Sequence, residues 1–336
     1  MAFSKSLKLQ IYLLFLALLL VGLFIFHFST NPLARMEKSW IFKSQSCVKQ
    51  DPEYSEMAKV LRNAARMDRT VILTTVNEAW AAPNSIFDLF LESFRIGEGT
   101  SDLLRHLVII AMDQKAFDRC RFIHSHCFSL ATKGVDFSGE KRFMTADYLK
   151  MMWRRIRFLQ SVLELGYHFV FTGADVMWFR NPLPHFTSAA DITIACDIFS
   201  GNSSDLNNRA NGGFYYVRAN SFTIQLYKYW YMERKLYPGH HDQDVFNIIK
   251  HHQFIYQMGL EIKFLDTAYF GGCYQKSADL NKVCTMHANC CVGIERKLHD
   301  LTLVLEDWRN FTALSMEERG LKKASWRAPS KCKWWK

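Results

Sequence analysis

Short apolar runs alternate with amphipathic stretches along most of this chain, and that alternation restricts it to a layered α/β fold. Thr70–Val76 (TVILTTV), Leu107–Met112 (LVIIAM), His168–Thr172 (HFVFT), Asp191–Cys196 (DITIAC) and Gly213–Ala219 (GFYYVRA) have the length and the β-branched or aromatic content of buried strands. Between and after them, Phe87–Arg95, Gln114–His124, Tyr148–Leu165 and Ser221–Arg234 repeat apolar residues at helical spacing. Buried strands separated by helices predict a mainly parallel sheet flanked by helices. In such sheets ligands bind beyond the carboxyl ends of the strands, so chemistry is sought just after each strand. No internal repeat is visible. With 49% hydrophobic residues and only 16 Gly and 7 Pro in 336 residues, a disordered, collagen-like or low-complexity chain is excluded.

The first thirty residues differ from the rest. Ile11 to Phe26 is sixteen unbroken apolar or glycine residues, and Leu9 to Phe28 adds only Gln10 and His27 as polar members. A cleaved signal peptide has an apolar region of about 7–15 residues before a small-residue cleavage site, and no A-x-A-like pattern follows here. The expectation is a single transmembrane signal anchor over 9–28, with 1–8 as a cytosolic tail and 29–66 as a stem. Lys5 and Lys8 face Arg35, Lys38 and Lys43 across it, so flanking charge hardly decides orientation. All nine cysteines and the sequons at Asn202 and Asn310 follow the anchor, which favours a lumenal, oxidising side for the body. Nine is odd, so at least one thiol stays unpaired or bridges to another chain. Cys120 with Cys127, and Cys273 with Cys284, are candidate pairs on proximity. The absence of a CxxC pair argues against a zinc site.

The formal charge is 42 − 32 = +10, and the last sixteen residues carry six positive charges and no acid. Residues 311–336 are therefore expected as a basic tail, either solvated or drawn to an anionic membrane surface or acidic polysaccharide. Nucleic acid is not an expected partner of a lumenal protein, and the sequence is silent on oligomeric state.

After the strand HFVFT comes Gly173-Ala174-Asp175, and a carboxylate at a strand end can hold a hard divalent cation against a diphosphate. Asn211 opens NGGFYYVRANS, Asp242 stands in HDQDVFNIIK, and His287 lies in TMHANCCVG. Each alone has a bland reading: a turn or cap for Asp175, a turn at Asn211, a helix N-cap at Asp242, a satisfied core histidine at His287. Together, FTGADVMWFRNP, NGGFYYVRAN, HDQDVFN and TMHANCC resemble the plant nucleotide-diphospho-sugar transferase family, glycosyltransferase family 77, over roughly Arg69 to Trp308.

The resemblance implies a type II Golgi membrane protein with a GT-A-like domain over 67–310. It implies a retaining transferase that moves a sugar from a nucleotide-sugar donor to a cell-wall polysaccharide or glycoprotein, with Mn2+ or Mg2+ as cofactor. Asp175 and His287 would hold the metal. The family's Asp-x-Asp motif is Gly-Ala-Asp here, since its first position is Gly173. That departure motivates a rival reading, a non-catalytic Golgi glycan-binding or scaffolding subunit. Thr75 and Asn77 are similar to positions that contact nucleotide base and ribose, and Lys297 would meet diphosphate oxygens as a point charge. Arg154 and Arg157 share a helix face, and Arg157 is the preferred phosphate contact. Asp242 and Gln243 match a family-like pair at a helix start and are assigned to orienting the donor sugar and stabilising an oxocarbenium ion, with Asp244 unseparated from Asp242. Asp197 and Asn211, at adjacent strand ends, are assigned to donor or acceptor hydroxyls. A glycoside hydrolase is disfavoured, because no acid pair stands out to flank a scissile bond.

Overall fold

The computed structural model describes residues 13–21, 52–132, 134–321 and 325–332. The chain divides into residues 1–55 and a compact unit over 56–336. In the first, residues 13–21 are helical. Among the described residues no helix is long and apolar enough to cross a membrane, and the remainder of the apolar run lies outside them.

The elements run α1 (Pro52–Ala64), β1 (Thr70–Val76), α2 (Glu78–Ala81), α3 (Ile86–Ile96), β2 (Leu107–Ala111), α4 (Gln114–Ile123), β3 (Cys127–Ser129), α5 (Ala146–Glu164), β4 (His168–Thr172) and β5 (Val176–Trp178). They continue β6 (Ile192–Cys196), β7 (Ala210–Val217), α6 (Ser221–Glu233), α7 (Asp242–Ile249), α8 (Gln253–Met258), β8 (Ile262–Phe264), β9 (Phe270–Gly272), β10 (Thr285–His287), α9 (Ile294–Thr312) and α10 (Met316–Leu321). All five strands expected from apolar runs form, and so do the four expected helices. β7 starts earlier than expected because Asn247 bridges Ala210 on both sides of its peptide, accepting from its N–H at 2.9 Å and donating to its carbonyl at 2.8 Å. The side-chain amide does there what a neighbouring strand does elsewhere.

Seven strands form one sheet in the order β3-β2-β1-β4-β7-β6-β8. The pairs β1–β2, β1–β4, β2–β3 and β6–β8 are parallel, whereas β7 runs antiparallel to both β4 and β6. The reversal of β7 matters most for function. With Thr172 opposite Phe214 and Cys196 opposite Ala210, the start of β7 lies beside the carboxyl ends of β4 and β6. Asn211-Gly212-Gly213 is thereby placed next to Asp175 and Asp197.

A second sheet, β5-β10-β9, sits after the motif strand. β10 runs antiparallel to β5, with His287 opposite Val176, so sheet register sets the histidine beside Asp175. The Ala288 N–H donating to the Asp175 carbonyl at 3.1 Å extends that register. Helix α3 backs this sheet with Phe87, Phe90 and Phe94, and the Phe94 ring stacks on Trp178 at 4.4 Å. Burying one such side chain contributes roughly 1.5–3 kcal/mol. Helix α9 completes the layer through Leu301, Val304, Leu305 and Trp308.

Two boundaries differ from expectation. Met57, Leu61 and Ala64 of α1, within the expected stem, are buried. Residues 325–332, within the expected basic tail, are held in the domain. The buried Asp300 carboxylate accepts the backbone N–H groups of Ser330, Lys331 and Cys332 at 2.8–2.9 Å, and Trp326 and Ala328 join the core. A carboxylate taking up consecutive backbone donors fixes a segment whatever the charge of its other side chains.

Three disulfides are present among the described residues: Cys120–Cys127, Cys273–Cys290 and Cys291–Cys332. The first is as expected. The second corrects the Cys273–Cys284 pairing: Cys284 is a buried free thiol 3.4 Å from His185 Nε2, while the parallel pairing of β10 with β9 brings Cys290 to Cys273. Cys196 is also free and buried, and Cys47 lies outside the described residues. Peptide mapping without reduction is expected to recover Cys273 linked to Cys290; recovery of a Cys273–Cys284 peptide would overturn the assignment.

Candidate active site

The carboxyl ends of β1, β4 and β6, the start of β7, the N-terminus of α7 and the approach to α9 surround one cavity of about 520 Å3. It lies within the size range of small-molecule sites. At its centre, Asp175 follows β4 and is nearly fully buried. Its Oδ2 accepts from Lys297 Nζ, projected from the first turn of α9, and its Oδ1 lies 3.5 Å from His287 Nε2. Burial alone pushes the Asp175 carboxyl up, but Lys297 and His287 outweigh it and hold the group far below the usual carboxylate range. Asp175 is thus favoured as an anion between a lysine and a histidine.

Close packing of His287 requires the glycine it faces. A Cβ at Gly213 would stand 2.2 Å from His287 Cε1, whereas one at Gly212 would meet nothing nearer than Gln243 Cβ at 3.6 Å. Gly213→Ala is therefore expected to cost about 1–3 kcal/mol through overpacking and to shift the histidine, while Gly212→Ala changes little. Chemical denaturation of the two variants checks this, and equal stabilities would contradict it.

Farther along, Asp242 sits at the start of α7, where His241 provides the N-cap, its Nδ1 accepting the Gln243 N–H at 3.1 Å. The Asp242 side chain is buried and paired with Arg155, whose Nη2 donates to Oδ2 at 2.5 Å. Asp244 is separated from it: its side chain is 35% exposed and lies 3.5 Å from His241 Nε2. Gln243 is tied to β7, its Oε1 accepting the Gly212 N–H at 2.8 Å. Asp197 Oδ1 accepts from Asn211 Nδ2 and from Asn289 Nδ2, both at 2.7 Å. Asp175, His287, Lys297, Asp242, Gln243, Asp197 and Asn211 therefore share one cavity, as do Thr75 and Asn77.

Asn77 has its side chain committed locally. Nδ2 donates to the Phe137 and Gly139 carbonyls at 2.9 and 2.8 Å, and Oδ1 accepts the Trp80 N–H at 3.3 Å. It positions the loop that covers the cavity and caps α2. Arg157 does not reach the site: it is exposed on α5 with its guanidinium 5.3 Å from the centre of the Tyr231 ring. The arginine that reaches in is Arg155, with Met152, Ile156 and Leu159 on the buried side of the helix. A charge falling on the apolar stripe of a helix is the sequence signal that marks it. Asn289, inside the TMHANCC motif, also joins the site. Both sequon asparagines, Asn202 and Asn310, are exposed, the latter on α9.

Among the described residues, no group of three or more His, Cys, Asp and Glu is placed to hold a metal. Gly173 withholds the carboxylate that would complete one. Asp175 and His287 offer two candidate ligands 3.5 Å apart, too few for a cation held by protein side chains alone.

The family model described as nucleotide-diphospho-sugar transferase matches residues 102–301, which hold most of this cavity. The chain belongs to that family. An uncharacterized protein of Arabidopsis thaliana is 49% identical over 286 residues, covering 84% of this chain and 76% of the relative. A second uncharacterized Arabidopsis thaliana protein is 44% identical over 255 residues, covering 74% and 76%. The beta-arabinofuranosyltransferase RAY1 of Arabidopsis thaliana is 34% identical over 101 residues, covering 28% of this chain and 18% of that one. Membership supports transferase activity for this chain, and the family implies a nucleotide-sugar donor and a sugar acceptor.

Proposed function

We propose that the chain is a GT-A-type, retaining glycosyltransferase, carried on a single N-terminal anchor in the Golgi membrane with its body in the lumen. The observation that supports this most directly is the Asp175–His287–Lys297 cluster standing beside Asp242 and Gln243 in one cavity. In this reading Lys297 and His287 are assigned to the diphosphate and Thr75 to the nucleotide, all three lining the same cavity. When bound with the donor, Mn2+ or Mg2+ would neutralise charge on the leaving diphosphate. Asp175 and His287 would hold that cation, and Lys297 contributes a fixed positive charge to the same oxygens. Asp242, kept ionised by Arg155, faces the donor sugar and stabilises positive charge at its anomeric carbon, while Gln243 orients its hydroxyls. Asp197 and Asn211 are hydrogen-bonding partners for sugar hydroxyls. The acceptor is a cell-wall polysaccharide or glycoprotein, and by its name the relative RAY1 supports a pentose as one donor class to test.

Thermal denaturation of the full-length chain with a panel of nucleotide sugars, with and without Mn2+, tests the reading. A donor-specific, Mn2+-enhanced shift together with sugar transfer is expected. Binding without transfer would favour the non-catalytic subunit, which Gly173 and the neutralisation of Asp175 by Lys297 also fit. No shift with any nucleotide sugar would overturn both the donor assignment and the metal pair. Topology is tested separately: glycosidase-sensitive mobility from Asn202 or Asn310 is expected, and digestion of the body by protease outside intact vesicles would contradict it.

A further inference from the structure

The segment between β3 and α5 enters the cavity through a tight turn. The Arg142 carbonyl accepts the Thr145 N–H at 3.1 Å and the Thr145 hydroxyl at 2.7 Å. Met144 inside the turn takes a left-handed φ of 65°, a conformation that a residue with a Cβ rarely adopts. Thr145 then caps α5, so the helix start and the turn are one rigid device. It sets Phe143 at the cavity wall with 49% of the residue exposed. The ring is not loose: it meets Tyr148 at 5.3 Å and His241 at 5.4 Å, both edge-on.

A rigidly held, half-open aromatic ring at a cavity wall forgoes burial and leaves apolar area for something else to cover. A sugar ring suits it, because its C–H face is apolar while its hydroxyls project around the rim. The position is specific as well. Along β7, Gly213 abuts His287 and Gly212 abuts Gln243 and Asp242; His241, next in line, has Nδ1 3.7 Å from Asp242 Oδ1. Phe143 packs on His241, and so stands on the side of the cavity wall that carries Asp242. The half-exposed Val292 adds a second apolar group to the wall.

We infer that Phe143 is the acceptor platform, and that the acceptor is a glycan offering a sugar ring by its C–H face, not a peptide hydroxyl. This rests on the transferase reading above. The full-length chain is titrated with methyl glycosides of xylose, arabinose and galactose, and with a hydroxyproline peptide, by saturation-transfer NMR. At least one glycoside is expected to receive saturation on its ring C–H protons. Phe143→Ala is expected to weaken that binding about tenfold, and Phe143→Trp to restore it. Glycoside binding unchanged in Phe143→Ala, binding of the peptide alone, or binding of no probe by the wild-type chain would each overturn the inference. Nucleotide-sugar binding is followed on the same samples. Its absence brings down the transferase reading, whereas its presence with glycoside binding indifferent to Phe143 brings down this inference alone.

Discussion

Asp175→Asn is expected to lower kcat/KM for sugar transfer by about 100-fold or more and to abolish the Mn2+ dependence of donor binding. The substitution keeps the shape of the side chain and removes an anion in contact with both His287 and Lys297. It also strands Lys297, whose side chain is only 13% exposed. An uncompensated buried charge costs about 3–5 kcal/mol, so the variant should melt earlier as well. Adding Lys297→Met removes the stranded charge, and the double variant should regain stability without regaining turnover. That split separates a folding defect from a lost function. Equal Mn2+ dependence in wild type and Asp175→Asn would reject the assigned site. Gly173→Asp probes the other half of the motif. The backbone there is outside the left-handed region, but a new Cβ would lie 2.6 Å from Asp175 Oδ1. Two adjacent carboxylates should destabilise the protein without Mn2+ and bind Mn2+ more tightly than wild type.

Arg155→Met is expected to be nearly as damaging, and Arg157→Met nearly silent. Burial by itself pushes the Asp242 carboxyl up, and Arg155 and His241 reverse that and bring it from 3.8 to about 2. Without the guanidinium only the desolvation and the weaker histidine contact remain, so Asp242 titrates at higher pH. The sign follows from linkage. Asp242's folded value lies below its unfolded one, so the pair's contribution is complete above about pH 4 and disappears as pH falls through about 2, a loss of about 2 kcal/mol. In Arg155→Met that acid-dependent loss should shrink, and the acid limb of the activity profile should move upward in pH. Urea denaturation between about pH 2 and 5 and a pH–rate profile measure the two effects. Coincident profiles for wild type and Arg155→Met would refute the assignment of Arg155, and a large defect in Arg157→Met would reinstate the residue preferred from helix spacing.

The contrast between these two arginines shows where local reading ends. In KMMWRRIRFLQ, the i, i+3 relation of Arg154 and Arg157 is visible in one dimension, but which face of α5 meets the cavity depends on its packing against β4, α6 and α7. The cysteines repeat the lesson: Cys120 and Cys127 flank one turn and pair as spacing suggests, while Cys273 meets Cys290 only because β10 lies parallel to β9.

What the amino-acid order determined alone is the set of elements and the chemistry at their ends. Strands of five to eight residues and amphipathic helices carry their own periodicity, and Asp175, Asn211, Asp242 and His287 stand in motifs short enough to be read directly. The tertiary structure decided which groups face each other: the reversal of β7, the approach of α9 that delivers Lys297, the choice of Arg155, and the capture of residues 330–332 by Asp300. The physical reason is that burial and hydrogen-bond satisfaction along one segment are local sums, whereas an ion pair between residues 87 or 122 positions apart exists only once sheet order and helix docking have placed both partners.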